Sequence, residues 1–229
     1  MALLVRSWNL FHGNASPPRR RSYLREMVVL ASADRPDVLC LQEVPVWGLE
    51  HLGSWSGMRL FSAVARHGLA PTRFAGWATR LHNGLLRSAI SGQANAILVG
   101  GGHDVEDLGA DRVSDRGRER RVCQAVRLDD SIVVANTHLS RAGDAQLVEL
   151  GRVRAFAESL ARPGEAVVLA GDLNLRNARL DDYSAPGTGI DHVLVRGAVA
   201  GPLVVWPDDR RRQNGIVLSD HAPVELRVG

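Results

Sequence analysis

Several polar residues close otherwise apolar runs of this chain, and their types suit chemistry on a charged substrate. The run Val38-Leu-Cys-Leu-Gln-Glu43 ends in a carboxylate, and Val133-Val-Ala-Asn-Thr-His138 ends in an imidazole. Val167-Val-Leu-Ala-Gly-Asp172-Leu-Asn174 ends in an acid and an amide, while Ile190-Asp191-His192 and Ser219-Asp220-His221 each adjoin an apolar stretch. Buried charge is costly without a partner, so strands that end in acids need a reason. Each group taken alone has an ordinary explanation. Glu43 can cap a helix after Pro45, Asp172 can be a turn residue after Gly171, and His138 can be a satisfied histidine at a strand end. His192 reads as structural. Together, five strand ends offer hard oxygen ligands or imidazoles, which suits magnesium or manganese. Without a Cys/His cluster, zinc is disfavoured.

The elements that must position these groups alternate between short apolar strands and helical patterns. Leu3 to Trp8 reads as a strand. Pro17-Pro18 is expected to open a helix running to about Ala33, with Leu24, Met27, Val28 and Ala31 at helical spacing. Asp37 to Val44 is nearly continuous in apolar residues, the pattern of a strand buried on both faces. Residues 45–90 give no clear pattern and hold Trp47, Trp55 and Trp77. Strands are expected again at Ala94–Val99, Val122–Leu128 and Ile132–Thr137, with Asp130-Ser131 as a hairpin turn. An amphipathic helix fits Asp144 to Leu160, ended by Pro163-Gly164. Further strands fit Ala166–Ala170, Ile190–Val195, Leu203–Trp206 and Ala222–Val228. Many strands and few helices point to an α/β chain of two packed sheets, read as a single domain over residues 1–229.

The 229 residues carry a formal net charge of +3, with 45% hydrophobic and 23% charged residues, ordinary values for a globular protein. Arginine clusters at 19–21, 116–121 and 210–212 are interleaved with acids and read first as solvated surface. For the first and last clusters, a groove for a polyanion is the other reading. Cys40 and Cys123 sit in strand-like runs without ligand spacing and are expected to be buried apolar residues. No run approaches a membrane span, and the N-terminus reads as a strand rather than a secretory signal, so a cytoplasmic location is expected.

Trp8-Asn9, Leu41-Gln42-Glu43-Val44, Asn136-Thr-His138-Leu139, Gly171-Asp-Leu-Asn174, Ile190-Asp-His192 and Ser219-Asp-His221 together resemble the endonuclease/exonuclease/phosphatase superfamily, in the family's order. The resemblance implies a four-layer αββα sandwich with its site at one end between the sheets. It implies Glu43 as the main Mg²⁺ ligand (Mn²⁺ being the alternative), with Asn9 and Asp220 close to the metal. Asp172 and Asn174 would hold the attacking water and a phosphate oxygen. His221, oriented by Asp191, would be a general base or a phosphate-binding imidazole, and His138 would stabilise the transition state or protonate the leaving oxygen. Asn95 is expected to orient His138, and Arg121 to approach the phosphate.

The expected reaction is hydrolysis of a phosphoester, with a phosphodiesterase or nuclease first and nucleic acid as the leading substrate. A phosphomonoesterase and a phospholipid head-group phosphodiesterase are the alternatives. A catalytically inactive binding module fits less well, because none of the expected positions is lost. Abasic-site repair is disfavoured by Val44-Pro45 after Glu43 and by a histidine, not a tyrosine, at position 138. No obligate protein partner is expected. Trp47, Trp55 and Trp77 serve equally as base-stacking surfaces or as core.

Overall fold

The computed structural model describes residues 2–68, 91–117, 119–141, 143–184, 187 and 189–229. In chain order the elements are β1 (Leu3–Asn9), β2 (Ala15–Ser16), α1 (Leu24–Ser32), β3 (Val38–Val44), α2 (Leu49–Ser56), β4 (Arg59–Arg66), β5 (Gln93–Val99) and β6 (Val105–Arg112). They continue with β7 (Val122–Leu128), β8 (Ile132–His138), α3 (Ala145–Leu160), β9 (Ala166–Asp172), β10 (Asp191–Arg196), β11 (Val204–Val205), β12 (Arg212–Gln213), β13 (Ile216–Leu218) and β14 (Val224–Val228).

Two large sheets carry the fold, a six-stranded one in the order β11-β14-β1-β3-β5-β4 and a five-stranded one in the order β10-β9-β8-β7-β6. The pairs β1/β3 and β8/β9 are parallel. Between the sheets lies an aliphatic core that includes Val5, Cys40, Ile97, Val126, Val134 and Val168. On the outer face of the first sheet, Met27 of α1 and Leu52 of α2 join Trp8, Leu39 and Leu98. Leu150, Val153 and Ala157 of α3 cover Val133, Val167 and Leu169 on the second. The layers therefore run αββα. With cover on both sides, every residue of β3, β5, β7, β8 and β9 is buried, which is why these segments read as continuous apolar runs.

Several sequence expectations shift. The first helix begins at Leu24, not at Pro17. A residue before proline is sterically driven out of the helical region, so Pro17 cannot start a helix ahead of Pro18. Ala15–Ser16 pair instead with β13. The β7–β8 turn uses Asp129 and Asp130, both with positive φ (50° and 46°), rather than Asp130-Ser131. Strand β6, Val-Glu-Asp-Leu-Gly-Ala-Asp-Arg, is a polar edge strand that no apolar pattern announces. Trp47 and Trp55 are partly buried and pack against the core of the α1/α2 layer, and Trp77 lies outside the described residues. Burial pushes both cysteine thiols up, so they stay protonated apolar side chains.

Two features tie the halves together. At the end away from the strand-end acids, His103 bridges the sheets, with Nδ1 2.7 Å from Asp129 and Nε2 3.0 Å from Asp37. At the other end, Gly171 has φ +147°, and a Cβ there would lie 1.9 Å from the Thr137 carbonyl oxygen. Only glycine lets β9 approach β8 just before Asp172.

Two predictions follow from these contacts. Gly171→Ala should destabilise the fold by about 3 kcal/mol, measured by urea titration, because the clash is with backbone that cannot rotate away. The bridge to Asp129 and Asp37 outweighs desolvation and raises the His103 pKa, so its stabilisation is full below the unfolded value of about 6.5. That stabilisation is lost as pH rises through the higher folded value. His103→Gln should therefore lower Tm by about 2–4 °C near pH 6, with the gap closing as pH rises through the raised folded pKa. A gap independent of pH would show that the imidazole acts by packing alone.

Candidate active site

Parallel strands deliver their C-terminal residues to the same end of a sheet, and antiparallel strands deliver their first residues there. Asn9 and Glu43 thus meet the residues leading into β14, while His138 and Asp172 meet Asp191. Face-to-face packing of the sheets then closes these sets around one cavity end. A buried amide layer lies just beneath: Gln42 Nε2 donates to Asn136 Oδ1 at 2.8 Å across the sheets, and Asn136 Nδ2 donates to the carbonyls of Leu41 and Ala96.

Asp172 is at the centre and fully buried. Its Oδ2 accepts from Asn9 Nδ2 at 2.9 Å, and its Oδ1 accepts from the Asn174 backbone N–H at 3.0 Å. Nε2 of His138 lies 3.4 Å away and Nε2 of His221 3.7 Å away. Burial, together with the nearby Asp191 carboxylate, pushes the Asp172 pKa up to about 6.

The two histidines occupy opposite electrostatic settings. His221 Nδ1 is 2.9 Å from Asp191 Oδ2, and the carboxylates of Asp191, Asp172 and Asp220 overcome desolvation to raise its pKa to about 9. It is an imidazolium at neutral pH. His138 is fully desolvated beside Arg121 and Arg141, and its pKa falls well below the ordinary value. The Gln93 side-chain amide lies 3.0 Å from His138 Nδ1. With that amide donating, the proton of the neutral ring sits on Nε2, which faces Asp172.

The loop carrying Asp220 and His221 is fixed from behind. Ser219, at φ 60°, donates from Oγ to the Asn9 carbonyl at 2.7 Å, and Trp8 Nε1 donates to the His221 carbonyl. The buried Arg211 guanidinium donates to the carbonyls of Leu218, Ser219 and His221. Part of the 210–212 arginine cluster is thus internal scaffolding, neither solvated surface nor groove. Asp220 is the exposed member of the set.

Sequence reasoning assigned the support of His138 to Asn95, and the structure corrects this. Asn95 Nδ2 donates to the Val122 carbonyl at 3.0 Å, while Gln93, two residues earlier on the same strand face, reaches the ring. Asn174 turns through φ 50° and donates from its amide to the Leu139 carbonyl. Arg121 is buried and pairs through Nη2 with Glu119 at 3.0 Å, but its Nε and Nη1 have no hydrogen-bond partner among the described residues. Two unsatisfied buried guanidinium nitrogens favour an oxyanion as their partner. His192 Nε2 donates to the Leu175 carbonyl at 2.9 Å and is structural.

Three participants were missed in the sequence. Besides Gln93, Glu43 is flanked by His12, whose Nε2 is 3.2 Å from Oε2, and by Arg141, whose Nη2 is 3.5 Å from Oε1. His12 follows the Trp8-Asn9 motif by three residues and Arg141 follows His138 by three, but neither has a spacing that singles it out. Glu43, Asn9 and Asp220 present hard oxygens, as a divalent cation requires. The tightest cluster of metal-capable groups among the described residues is a different one. In Asp172, Asp191 and His221, the ligand atoms all lie within 4.8 Å of one another. There the Asp191–His221 hydrogen bond already occupies Nδ1.

Asp191→Asn should lower the His221 pKa from about 9 towards the ordinary value of about 6.5. Proton NMR of the imidazole in metal-free protein reads this directly; an unmoved titration would rule out the Asp191 carboxylate as the cause.

The chain matches the sequence model of the Endonuclease/Exonuclease/phosphatase family over residues 7–221. No curated protein matches. Among solved structures, an endonuclease/exonuclease/phosphatase from Beutenbergia cavernae is similar with a TM-score of 0.73 at 18% identity, covering 99% of this chain and 71% of the other. Truncated TDP2 from Caenorhabditis elegans gives 0.66 at 19% identity, covering 100% and 97%. The mannosyl-6-phosphatase Bt3783 of Bacteroides thetaiotaomicron gives 0.65 at 15% identity, covering 99% of each chain. These likenesses concern the fold. With the family's strand-end acids and histidines gathered in one place, and a sequence match over nearly the whole chain, this protein belongs to the endonuclease/exonuclease/phosphatase family of phosphoester hydrolases.

Proposed function

We propose that the protein is a divalent-metal-dependent phosphodiesterase, with nucleic acid as its leading substrate class. The observation that carries this reading is Asp172, buried between a neutral His138 and a cationic His221, with Glu43 at the adjoining strand end. Glu43, with Asn9 and Asp220, would hold Mg²⁺ or Mn²⁺, which supplies Lewis-acid charge neutralisation at a phosphoryl oxygen.

The chain's own residues account for the remaining requirements of in-line attack. Asp172, ionised above about pH 6, orients the attacking water and takes its proton. His221, protonated at neutral pH, donates from Nε2 to a phosphate oxygen, while Asp191 holds its ring and its charge. His138 donates from Nε2, and Arg121 offers two unpaired nitrogens to the same anionic group. These fixed donors act where charge develops, in a site already shielded from water.

Charge on the surrounding loops supports a polyanionic substrate. Exposed arginines 19, 20, 21, 116, 120, 141 and 176 stand on loops at the site end of the strands. The opposite end carries Asp34, Asp37, Asp104, Asp129 and Asp130 together with exposed Arg35, Arg59 and Arg162. The site-end arginines attract a phosphate backbone, and that attraction weakens with added salt. Beside Asp191, a hollow of roughly 200 Å³ lined by Leu203, Val205 and Ala222 gives room for an apolar substituent of the phosphate.

Supercoiled plasmid should be nicked in Mg²⁺ or Mn²⁺, with cleavage lost in EDTA and reduced about 10²–10⁴-fold in His221→Ala. The rate at sub-saturating DNA should fall steeply between about 50 and 200 mM salt. Absence of nicking by folded protein would discard nucleic acid and direct the assay to phosphomonoesters and phospholipid head groups.

A further inference from the structure

The turn after β1 is built against its own backbone preferences. Phe11 (φ 47°) and His12 (φ 51°) are consecutive left-handed residues followed by Gly13 (φ 73°). For a bulky aromatic residue this conformation is an outlier, and such strain persists only where the surroundings impose it. Here the Phe11 N–H donates to Asn9 Oδ1 at 2.9 Å, Gly13 N–H to the Leu10 carbonyl at 2.8 Å and Asn14 N–H to the Phe11 carbonyl at 2.9 Å. Tyr23 N–H closes the turn on the Gly13 carbonyl. The result is a buried His12 ring whose Nε2 lies 3.2 Å from Glu43 Oε2.

That spacing suits an N–H···O contact and equally two ligands of one ion. Two ligands each about 2.1 Å from one octahedral ion are about 3 Å apart. Glu43 Oε2 and His12 Nε2 stand at nearly this separation, on adjacent segments of the first sheet. Glu43 is itself held at φ 51°, so both donors rest on strained backbone. A plain ion pair does not require His12 for neutralisation, because Arg141 reaches the other oxygen, Oε1, from an exposed position.

We propose that His12 is a nitrogen ligand to the divalent cation held by Glu43, making this a mixed carboxylate–imidazole site that favours Mn²⁺ over Mg²⁺. The inference rests on the reading of Glu43 as a metal ligand and adds a ligand from outside the expected set. Magnesium takes oxygen ligands and gains little from an imidazole, whereas first-row transition ions gain a bond.

The test is Mn²⁺ binding to metal-free protein, followed by EPR titration and by pulsed EPR for hyperfine coupling to directly bonded ¹⁴N. Wild-type protein should show the nitrogen coupling. His12→Gln should lose it and bind Mn²⁺ at least about 10-fold more weakly, with Mg²⁺ affinity, read by competition, changed less than about 3-fold. Retention of the coupling in folded His12→Gln, or equal weakening of both ions, overturns the proposal. Should His12→Gln not fold, single Gln variants of His51, His67, His82, His103, His138, His192 and His221 serve instead: coupling kept in all of them leaves His12 as the ligand, and coupling lost in any overturns it. Glu43→Ala separates the two readings. If Glu43→Ala binds Mn²⁺ as tightly as wild type, the Glu43 assignment itself is wrong. If it abolishes binding while His12→Gln keeps the nitrogen coupling, only the His12 assignment fails.

Discussion

The hydrogen bond from Asn9 to Asp172 joins the two sheets at the end that carries the strand-end acids and histidines. Everything in the site depends on that bond and on the Gln42–Asn136 contact beneath it. An unsatisfied amide or carboxylate between two sheets would cost several times what one hydrogen bond contributes, so these groups fix the stagger of the sheets. Once Asn9 must meet Asp172, Glu43 and His138 are brought together from opposite sheets, and the loop bearing His221 must reach over both. Gly171 is part of the same constraint, since β9 can bring Asp172 to this depth only without a Cβ beside Thr137.

Burial then divides the labour between chemically similar residues. His138 and His221 both face Asp172, yet desolvation beside arginines keeps one neutral while contact with carboxylates keeps the other charged. The site therefore presents a neutral donor, a cation and a carboxylate of raised pKa within a few ångströms. The arrangement is consistent with a family that acts on phosphoesters, where anionic oxygens must be neutralised and a water proton removed.

Arginine does two different jobs in this protein. Arg6 and Arg211 are buried and organise backbone: Arg6 reaches Glu225, Asp34 and the Ala31 carbonyl, and Arg211 holds the loop of His221. The planar, permanently charged guanidinium suits such multi-acceptor positions. Arg210 lies over the Trp206 ring, 3.6 Å from its centroid, and continues the network to Glu225. Other arginines remain at the rim of the site. A count of arginines cannot separate these roles, because each depends on which acceptors the fold places nearby.

The αββα layering, the strand-end positions of Glu43, His138, Asp172, Asp191 and His221, and the family were all legible in the sequence. Strands covered on both faces must be continuously apolar, so a charge that ends one stands out. Polar and weakly patterned elements were not legible: β6 has no buried face to give it a period, and β4 and α2 lie in the stretch crowded with tryptophan and glycine. Tertiary structure alone decided that Gln93 rather than Asn95 meets His138. Both residues point to the same face of β5, and only the stagger of the opposing sheet sets which one comes within reach. It alone brought His12 and Arg141 to Glu43, since those contacts join segments whose separation along the chain carries no information about distance. The same holds for protonation: a sequence gives residue types, but the charge on a histidine follows from burial and neighbours that exist only after folding.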